Sequence, residues 1–403
     1  MNAEVEKPPF VQDKVYALLR DEWVGPAPLN ATLRELQTPP ATTTLRVVPS
    51  LAPPLEEIFA FLREWTQHKF AIEVHPVIAD VISLTQKAPD GLADTDADSV
   101  PASSGRHPVV LVDPHCGHAV LRGSHVYAKG VLASEPGLKV GSRVSVYAYV
   151  GPKQGDRKLL RGTYLHTTDG QQDANCADTL ADADSGAADT ADGAAVSEDF
   201  DSPAFRAFCG DGVLEMSPLS IYQSSCGLAI RMDDAIDFQT LPPYLFPQNL
   251  PSAVVAHVMG CQPGESVADL CAAPGGKTTH ICSLMDNQGW VLAIDRSQKR
   301  VDELKGTVLR HQATIAECIC ADATTDKWTC SRGSCQDLQG KFDRVLIDAP
   351  CSATGLRPRL TFGEGDLHID SLSQIQRRLI QRPRWACCAK TRRLIRVSED
   401  CCR

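Results

Sequence analysis

Two rhythms of apolar and polar positions divide this 403-residue chain. Near the start, Val11, Val15, Leu18 and Leu19 recur at helical spacing and predict an amphipathic helix over Phe10–Trp23. A strand-like run, Thr42–Val48, and a second helix, Leu55–Phe70, follow. Periodicity then disappears among Pro, Gly, Ser and Asp residues, so 88–106 reads as a linker. From Pro108 the apolar runs are short and separated by glycine turns. Val109–Val112, Ala119–Leu121, Arg143–Val150, Leu159–Tyr164, Phe208–Val213 and Gly227–Met232 are each predicted as strands, which favours a small β-barrel. Leu241–Ser252 holds four prolines and must be extended, with Gln248 and Asn249 read as capping the helix Ala253–Met259 or as touching a ligand strand. Beyond it strand and helix patterns alternate: strand Ser266–Leu270, helix Thr278–Met285, strand Trp290–Ile294, helix Lys299–His311, then strands Thr314–Cys320 and Phe342–Ile347. That alternation predicts βαβ units and a parallel sheet.

Charge alters the picture in one place. The net charge of −10 argues against a nucleic-acid partner, but Asp169–Asp201 holds nine Asp and one Glu with no Lys or Arg. Everything else is neutral overall. The acidic stretch has almost no large apolar residue and is expected to be a disordered insertion inside the barrel sequence. No apolar run reaches the ~18 residues of a membrane span. Sixteen cysteines are scattered without any Cys-x-x-Cys pair, so neither a zinc ribbon nor a disulfide scaffold is expected. Reduced thiols suit a cytoplasmic or nuclear setting.

The chemistry concentrates at Val267–Thr279, where a strand runs into Cys271-Ala272-Ala273-Pro274-Gly275-Gly276-Lys277 and then a helix. Such a strand–turn–helix holds a ligand at the carboxyl end of a parallel strand, with glycines for close backbone approach and helix N–H groups facing the ligand. A phosphate-binding Walker loop would need glycine at 271, where Cys271 stands. The following strands also end in carboxylates. Asp295 lies near the spacing expected for a ribose-binding acid, and Asp322 and Asp348 follow the next strands. Any one of them has a helix-capping reading; three on successive strands point to a ligand crevice.

The run Asp269–Lys277 resembles motif I of the RNA cytosine-5 methyltransferases of the Sun/Nop type, and Asp348-Ala-Pro-Cys351 resembles their motif IV. Cys116–Val131 resembles the opening of a PUA domain, an RNA-binding pseudo-barrel, and Thr44–Val47 the family's RNA-facing N-terminal strand. Arg46 in that strand also reads as an ordinary surface charge. The resemblance implies an α/β fold: a Rossmann-like class-I methyltransferase domain, C-terminally incomplete, with a PUA β-barrel and an α+β N-terminal segment. The expected domains are an RNA-binding segment over 1–87, a PUA domain over 107–232 interrupted at 169–201, and the methyltransferase domain over 233–403. Implied too are S-adenosylmethionine as cofactor, held by 271–277, Asp295, Asp322 and Asp348, and RNA as partner, with tRNA near its 3′ end as substrate. No metal and no membrane are expected, and a monomer.

Cytosine carbon 5 becomes nucleophilic when a thiolate adds to carbon 6, and an acid beside N3 must stabilise the ring charge, which suits Asp348. By resemblance Cys351 assists elimination of the adduct, whereas DNA enzymes attack with the cysteine of this motif; a buried inert thiol is the alternative. Lys277 orients groups at the site or neutralises neighbouring carboxylates. Arg122, Lys129 and Arg143 read as phosphate contacts or as ordinary solvated charges. The family's attacking cysteine lies in a Ser-Thr-Cys that this sequence lacks. The helix before it is present at Leu372–Arg382, but an edge at Arg344–Ile347 left without its neighbour is expected. Leu394–Ser398 is the one candidate strand to cover that edge, and it would put Cys401 near the nucleophile's place. A cofactor- and RNA-binding protein without catalysis is therefore the rival reading.

Overall fold

The computed structural model describes residues 8, 10–22, 28–87, 107–151, 161–165, 205–325, 327–338, 340–353, 355–362, 369–381 and 393–397. The linker at 88–106, the acidic insertion at 169–201 and Cys401 lie outside them. In chain order come α1 (Asp13–Glu22), α2 (Leu29–Gln37), β1 (Thr42–Val47), α3 (Leu55–Trp65), β2 (Phe70–Val74), β3 (Val81–Gln86) and β4 (Val109–Val112). Next are α4 (Pro114–Leu121), β5 (Val126–Tyr127), β6 (Val131–Ser134), β7 (Arg143–Tyr149), β8 (Thr163–Tyr164), β9 (Arg206–Leu214), α5 (Pro218–Gln223), β10 (Leu228–Met232) and β11 (Leu245–Pro247). The rest are α6 (Leu250–Met259), β12 (Ser266–Asp269), α7 (Gly276–Leu284), β13 (Trp290–Asp295), α8 (Gln298–Arg310), β14 (Ala316–Cys320), β15 (Thr329–Cys330), β16 (Gly333–Ser334), β17 (Arg344–Asp348), α9 (Ile369–Gln381) and β18 (Arg393–Val397).

These elements group into two compact units. One takes in Met1–Pro39, Asp96–Ile236 and Arg357–Gly363; the other takes in Pro40–Thr95, Asp237–Leu356 and Glu364–Arg403. The N-terminal segment expected over 1–87 is thus shared between the two.

The first unit is built on a seven-stranded sheet in the order β5-β10-β9-β7-β4-β6-β8. Val110 and Val112 are buried opposite Val146 and Ala148, while Leu111 is buried on the other face with Ala133 and Leu165. One predicted strand is corrected here: Ala119–Leu121 is the last turn of α4. The stronger local signal is upstream, where the Asp113 carboxylate accepts from the Cys116 N–H at 2.9 Å and Pro114 opens the helix.

The second unit carries an antiparallel sheet, β11-β1-β3-β2, covered by α3 through Ile58 and Leu62. The helix predicted to reach Phe70 stops at Trp65. Gln67 and His68 adopt left-handed φ values of 51° and 61°, which end the helix, and Phe70 opens β2. Beside it lies a wholly parallel sheet in the order β14-β13-β12-β17-β18. All six residues of β13 are buried, as expected for a central parallel strand covered on both faces. Alternation sorts the core. Ala268, Leu292, Val345 and Ile347 face Trp328, Leu338 and Leu379, while Val267, Val291 and Leu346 face Ala256, Met259 and Ile281 of α6 and α7.

The sheet is more complete than its sequence suggests. Arg344–Ile347 is not an edge: β18 pairs with it in parallel, Arg344 opposite Arg393 through Asp348 opposite Val397. The covering segment is essentially the Leu394–Ser398 candidate. Its β-branched and apolar core, Leu394-Ile395 and Val397, suffices for a strand despite flanking arginines.

Candidate active site

In this strand order the chain reverses direction across the sheet between β12 and β17, and the crevice at their carboxyl ends is where open α/β sheets bind ligands. A cavity of about 300 Å³ lies there. Its walls include Cys271 and Ala273 from the loop after β12, Asp295 at the end of β13, Asp322 after β14, and Asp348 and Cys351 after β17. Apolar cover comes from Leu270 and from Ile375 and Leu379 of α9. Gln376 of α9 donates to the Pro350 carbonyl at 3.0 Å, which ties that helix to the loop bearing Cys351.

The carboxylates differ. Asp295 is 3 % exposed; it accepts from the Ser297 N–H at 3.1 Å and lies 3.5 Å from the Arg300 guanidinium. Asp322 accepts from the Thr324 hydroxyl at 2.7 Å and its N–H at 2.8 Å, and the hydroxyl above all holds the carboxyl below its usual range. Lys277 leaves the first turn of α7 and donates to Asp348 Oδ2 at 2.7 Å. Both members of that pair are largely shielded, with side chains 12 % and 26 % exposed. Cys271 is an unreactive wall: burial, helped by the surrounding carboxylates, pushes its thiol up to about 12.

The other loop residues lie outside the cavity wall. Ala272 is buried against Leu304, and Pro274, Gly275, Gly276 and Lys277 do not line the cavity. Gly275 has φ 109°, and a Cβ there would sit 2.9 Å from Leu304 of α8. A Cβ on Gly276 would meet the Phe246 ring at 3.0 Å. At both glycines a side chain of the protein itself occupies the space a Cβ would need.

Three groups escaped the sequence reading. Arg46 is wholly buried rather than on the surface. Its Nε donates to Gln248 Oε1 at 2.8 Å, its Nη2 to Thr279 Oγ1 at 2.9 Å, and its guanidinium lies 5.2 Å from the centre of the Phe246 ring. Thr279 donates in turn to the Gly275 carbonyl at 2.8 Å, so β1 braces the loop after β12. Gln248 is part of this bracket and does not cap α6; Asn249 holds the cap position without a side-chain bond. Asp269 is also buried. Burial raises its carboxyl to about 7, opposed by the Thr278 hydroxyl at 2.8 Å and reinforced by Asp348. Finally, Asp80 Oδ1 and Oδ2 hold His257 Nε2 and His280 Nε2, each at 2.8 Å. Only the hydrophobic flanks of these residues, not their partners, are visible in a linear reading.

In the other unit, Arg122 and Lys129 are exposed. Arg143 is bonded to Asp233 at 2.5 Å, so its charge is partly spent within the protein.

Residues 256–389 match the family model described as 16S rRNA methyltransferase RsmB/F. The chain is 32% identical over 365 residues to the tRNA (cytosine(72)-C(5))-methyltransferase NSUN6 of Homo sapiens, covering 86% of this chain and 66% of the relative. It is 27% identical over 286 residues to the tRNA (cytosine(72)-C(5))-methyltransferase of Pyrococcus horikoshii, covering 71% of this chain and 58% of that one. The chain therefore spans about two thirds or less of the length of these relatives. The crystal structure of NSun6 from Pyrococcus horikoshii with SFG superimposes with a TM-score of 0.65 at 22% identity, over 93% of this chain and 80% of that one, which establishes a shared fold.

Proposed function

The chain belongs to the RsmB/F, or Sun, family of methyltransferases, and on that premise we propose that it methylates carbon 5 of cytosine in RNA, with tRNA as substrate. One observation carries the reading: Asp295, Asp322, Asp348 and Cys351 meet around one cavity, with Lys277 bonded to Asp348 from outside its lining. The residues fit S-adenosylmethionine. The buried carboxylate of Asp295 suits ribose hydroxyls and Asp322 suits the adenine amino group, while Arg296, Arg300 and Arg378 balance the three lining carboxylates. When bound, S-adenosylmethionine supplies a methyl group on a sulfonium sulfur. The protein's task is then to make cytosine a carbon nucleophile. A cysteine thiolate adds to carbon 6, carbon 5 takes the methyl group, and loss of the carbon 5 proton lets the sulfur leave. Asp348, steadied by Lys277, faces the ring edge at N3, and Cys351 assists the final elimination.

Cys401 is the proposed attacking thiol. The pairing of Val397 with Asp348 supports this, because the chain leaves β18 at the same sheet edge, four residues before Cys401. We assign the seven-stranded sheet of the first unit as a PUA-type RNA-binding module, with Arg122 and Lys129 on phosphates and Arg143 contributing less. The protein is taken to act in the cytoplasm as a monomer, and cytosine 72 of tRNA, named for the relatives, is the first position to test. The absence of Ser-Thr-Cys favours a second reading, binding without transfer. Incubation with tRNA and labelled S-adenosylmethionine separates the two. Methyl incorporation and a covalent RNA adduct that Cys401→Ser abolishes are expected; tight binding of both ligands without either product would establish the second reading.

A further inference from the structure

Outside the cavity lining, three segments of the second unit distant in sequence bring two imidazoles and a carboxylate together. Asp80 stands in the turn before β3, His257 on α6 and His280 on α7. Their donor atoms all lie within 4.8 Å of one another. The two rings meet edge to face, 5.0 Å between centroids, so both Nε2 atoms converge on one carboxylate. Two imidazole nitrogens and one carboxylate are a donor set for zinc and related divalent ions, with bonds of about 2.0–2.2 Å.

We propose that Asp80, His257 and His280 form a binding site for a divalent transition-metal ion of the zinc class. The differing burial of the ligands suits such a site. The His280 side chain is fully buried, Asp80 is 12 % exposed and His257 is 36 % exposed, so an ion enters from the His257 side and keeps a water in its fourth position. Small rotations of the rings and carboxylate close the donor set around the ion. Each imidazole moves its proton from Nε2 to Nδ1 in the process, and neither ring changes charge. At His280 the Nδ1 atom is buried without a hydrogen-bond partner, so the proton it receives gains no acceptor, a cost that the coordinate bonds to the ion must exceed. The ion replaces two hydrogen bonds by three coordinate bonds and ties the β2–β3 turn to α6 and α7. Because α7 begins at the cofactor loop, occupancy stiffens that loop.

The test uses the full chain after dialysis against a chelator, titrated with cobalt(II) as a spectroscopic stand-in for zinc. One equivalent should bind with visible d–d bands and without thiolate charge-transfer absorption, and zinc should displace it and raise the melting temperature. His257→Gln, at the most exposed ligand, should lose the d–d signal while its circular dichroism matches that of the metal-free parent. Absence of stoichiometric binding, a spectrum dominated by thiolate absorption from the many cysteines, or an unchanged signal in His257→Gln would each overturn the proposal. None of these readouts depends on methyl transfer.

Discussion

Asp269 sits at the end of β12 with its carboxyl raised by burial from 3.8 to about 7, and this has a consequence for stability. A carboxyl whose pKa is higher folded than unfolded holds its proton longer in the folded state. Its contribution is intact below the unfolded value and is lost as pH climbs through the folded one. Between roughly pH 4 and 7 the fold is therefore weakened by up to on the order of 4 kcal/mol from this group. Asp269→Asn keeps an acceptor for Thr278 and removes the charge, so its melting temperature should exceed the parent's by more at pH 8 than at pH 5. Equal differences at both values would mean that Asp269 ionises freely. At the cofactor side, Asp295→Ala removes hydrogen bonds to a charged acceptor worth about 1.5–3 kcal/mol each. Calorimetry should show S-adenosylmethionine binding weakened by roughly ten- to a hundredfold. Unchanged affinity would place the ribose elsewhere. Asp295 was legible because strand ends and spacing mark it in one dimension. Arg46 was not, since its burial depends on Gln248 and Thr279, more than two hundred residues away.

At the scale of elements, the loop between β12 and α7 shows how a correct motif can be read for an incomplete reason. Its glycines were expected to let the backbone approach a ligand, and the structure adds that they also make room for Leu304 and Phe246. The two positions should respond differently to alanine. Gly275→Ala combines a left-handed backbone with a contact at 2.9 Å and should lose about 1–3 kcal/mol of stability. Gly276→Ala meets only a ring edge at 3.0 Å, with no left-handed backbone to strain, so its loss should be smaller. Denaturant melts of the pair check the order; equal losses would remove the role given to the backbone. Strands and helices of the parallel sheet were legible because their apolar runs are long and alternate in type. Ala119–Leu121 misled because three apolar residues look alike in a strand and in a last helical turn, and only the Asp113-Pro114 start decides.

For the molecule as a whole, the acidic stretch at 169–201 is the largest charge feature, and RNA binding should not need it. Deletion should leave affinity intact and raise it at low salt, because like charge repels phosphate within a Debye length of ~10 Å at 0.1 M. A large loss in a filter-binding assay would make the stretch part of the RNA site. The α/β character of the parallel-sheet half was legible throughout, and its last strand was legible as the candidate Leu394–Ser398, though its pairing was not. β18 is short and arginine-flanked, and its register beside β17 is what the structure adds. That pairing also has a meaning in time. The ribosome emits β17 well before β18, and at about 5–20 residues per second the interval lasts seconds. During those seconds Val345, Leu346 and Ile347 wait with one flank unmatched, and every nascent chain passes through the same exposed moment. The vulnerable species of this protein is the unfinished one, and a chaperone that engages it there would act before any cofactor or RNA can help.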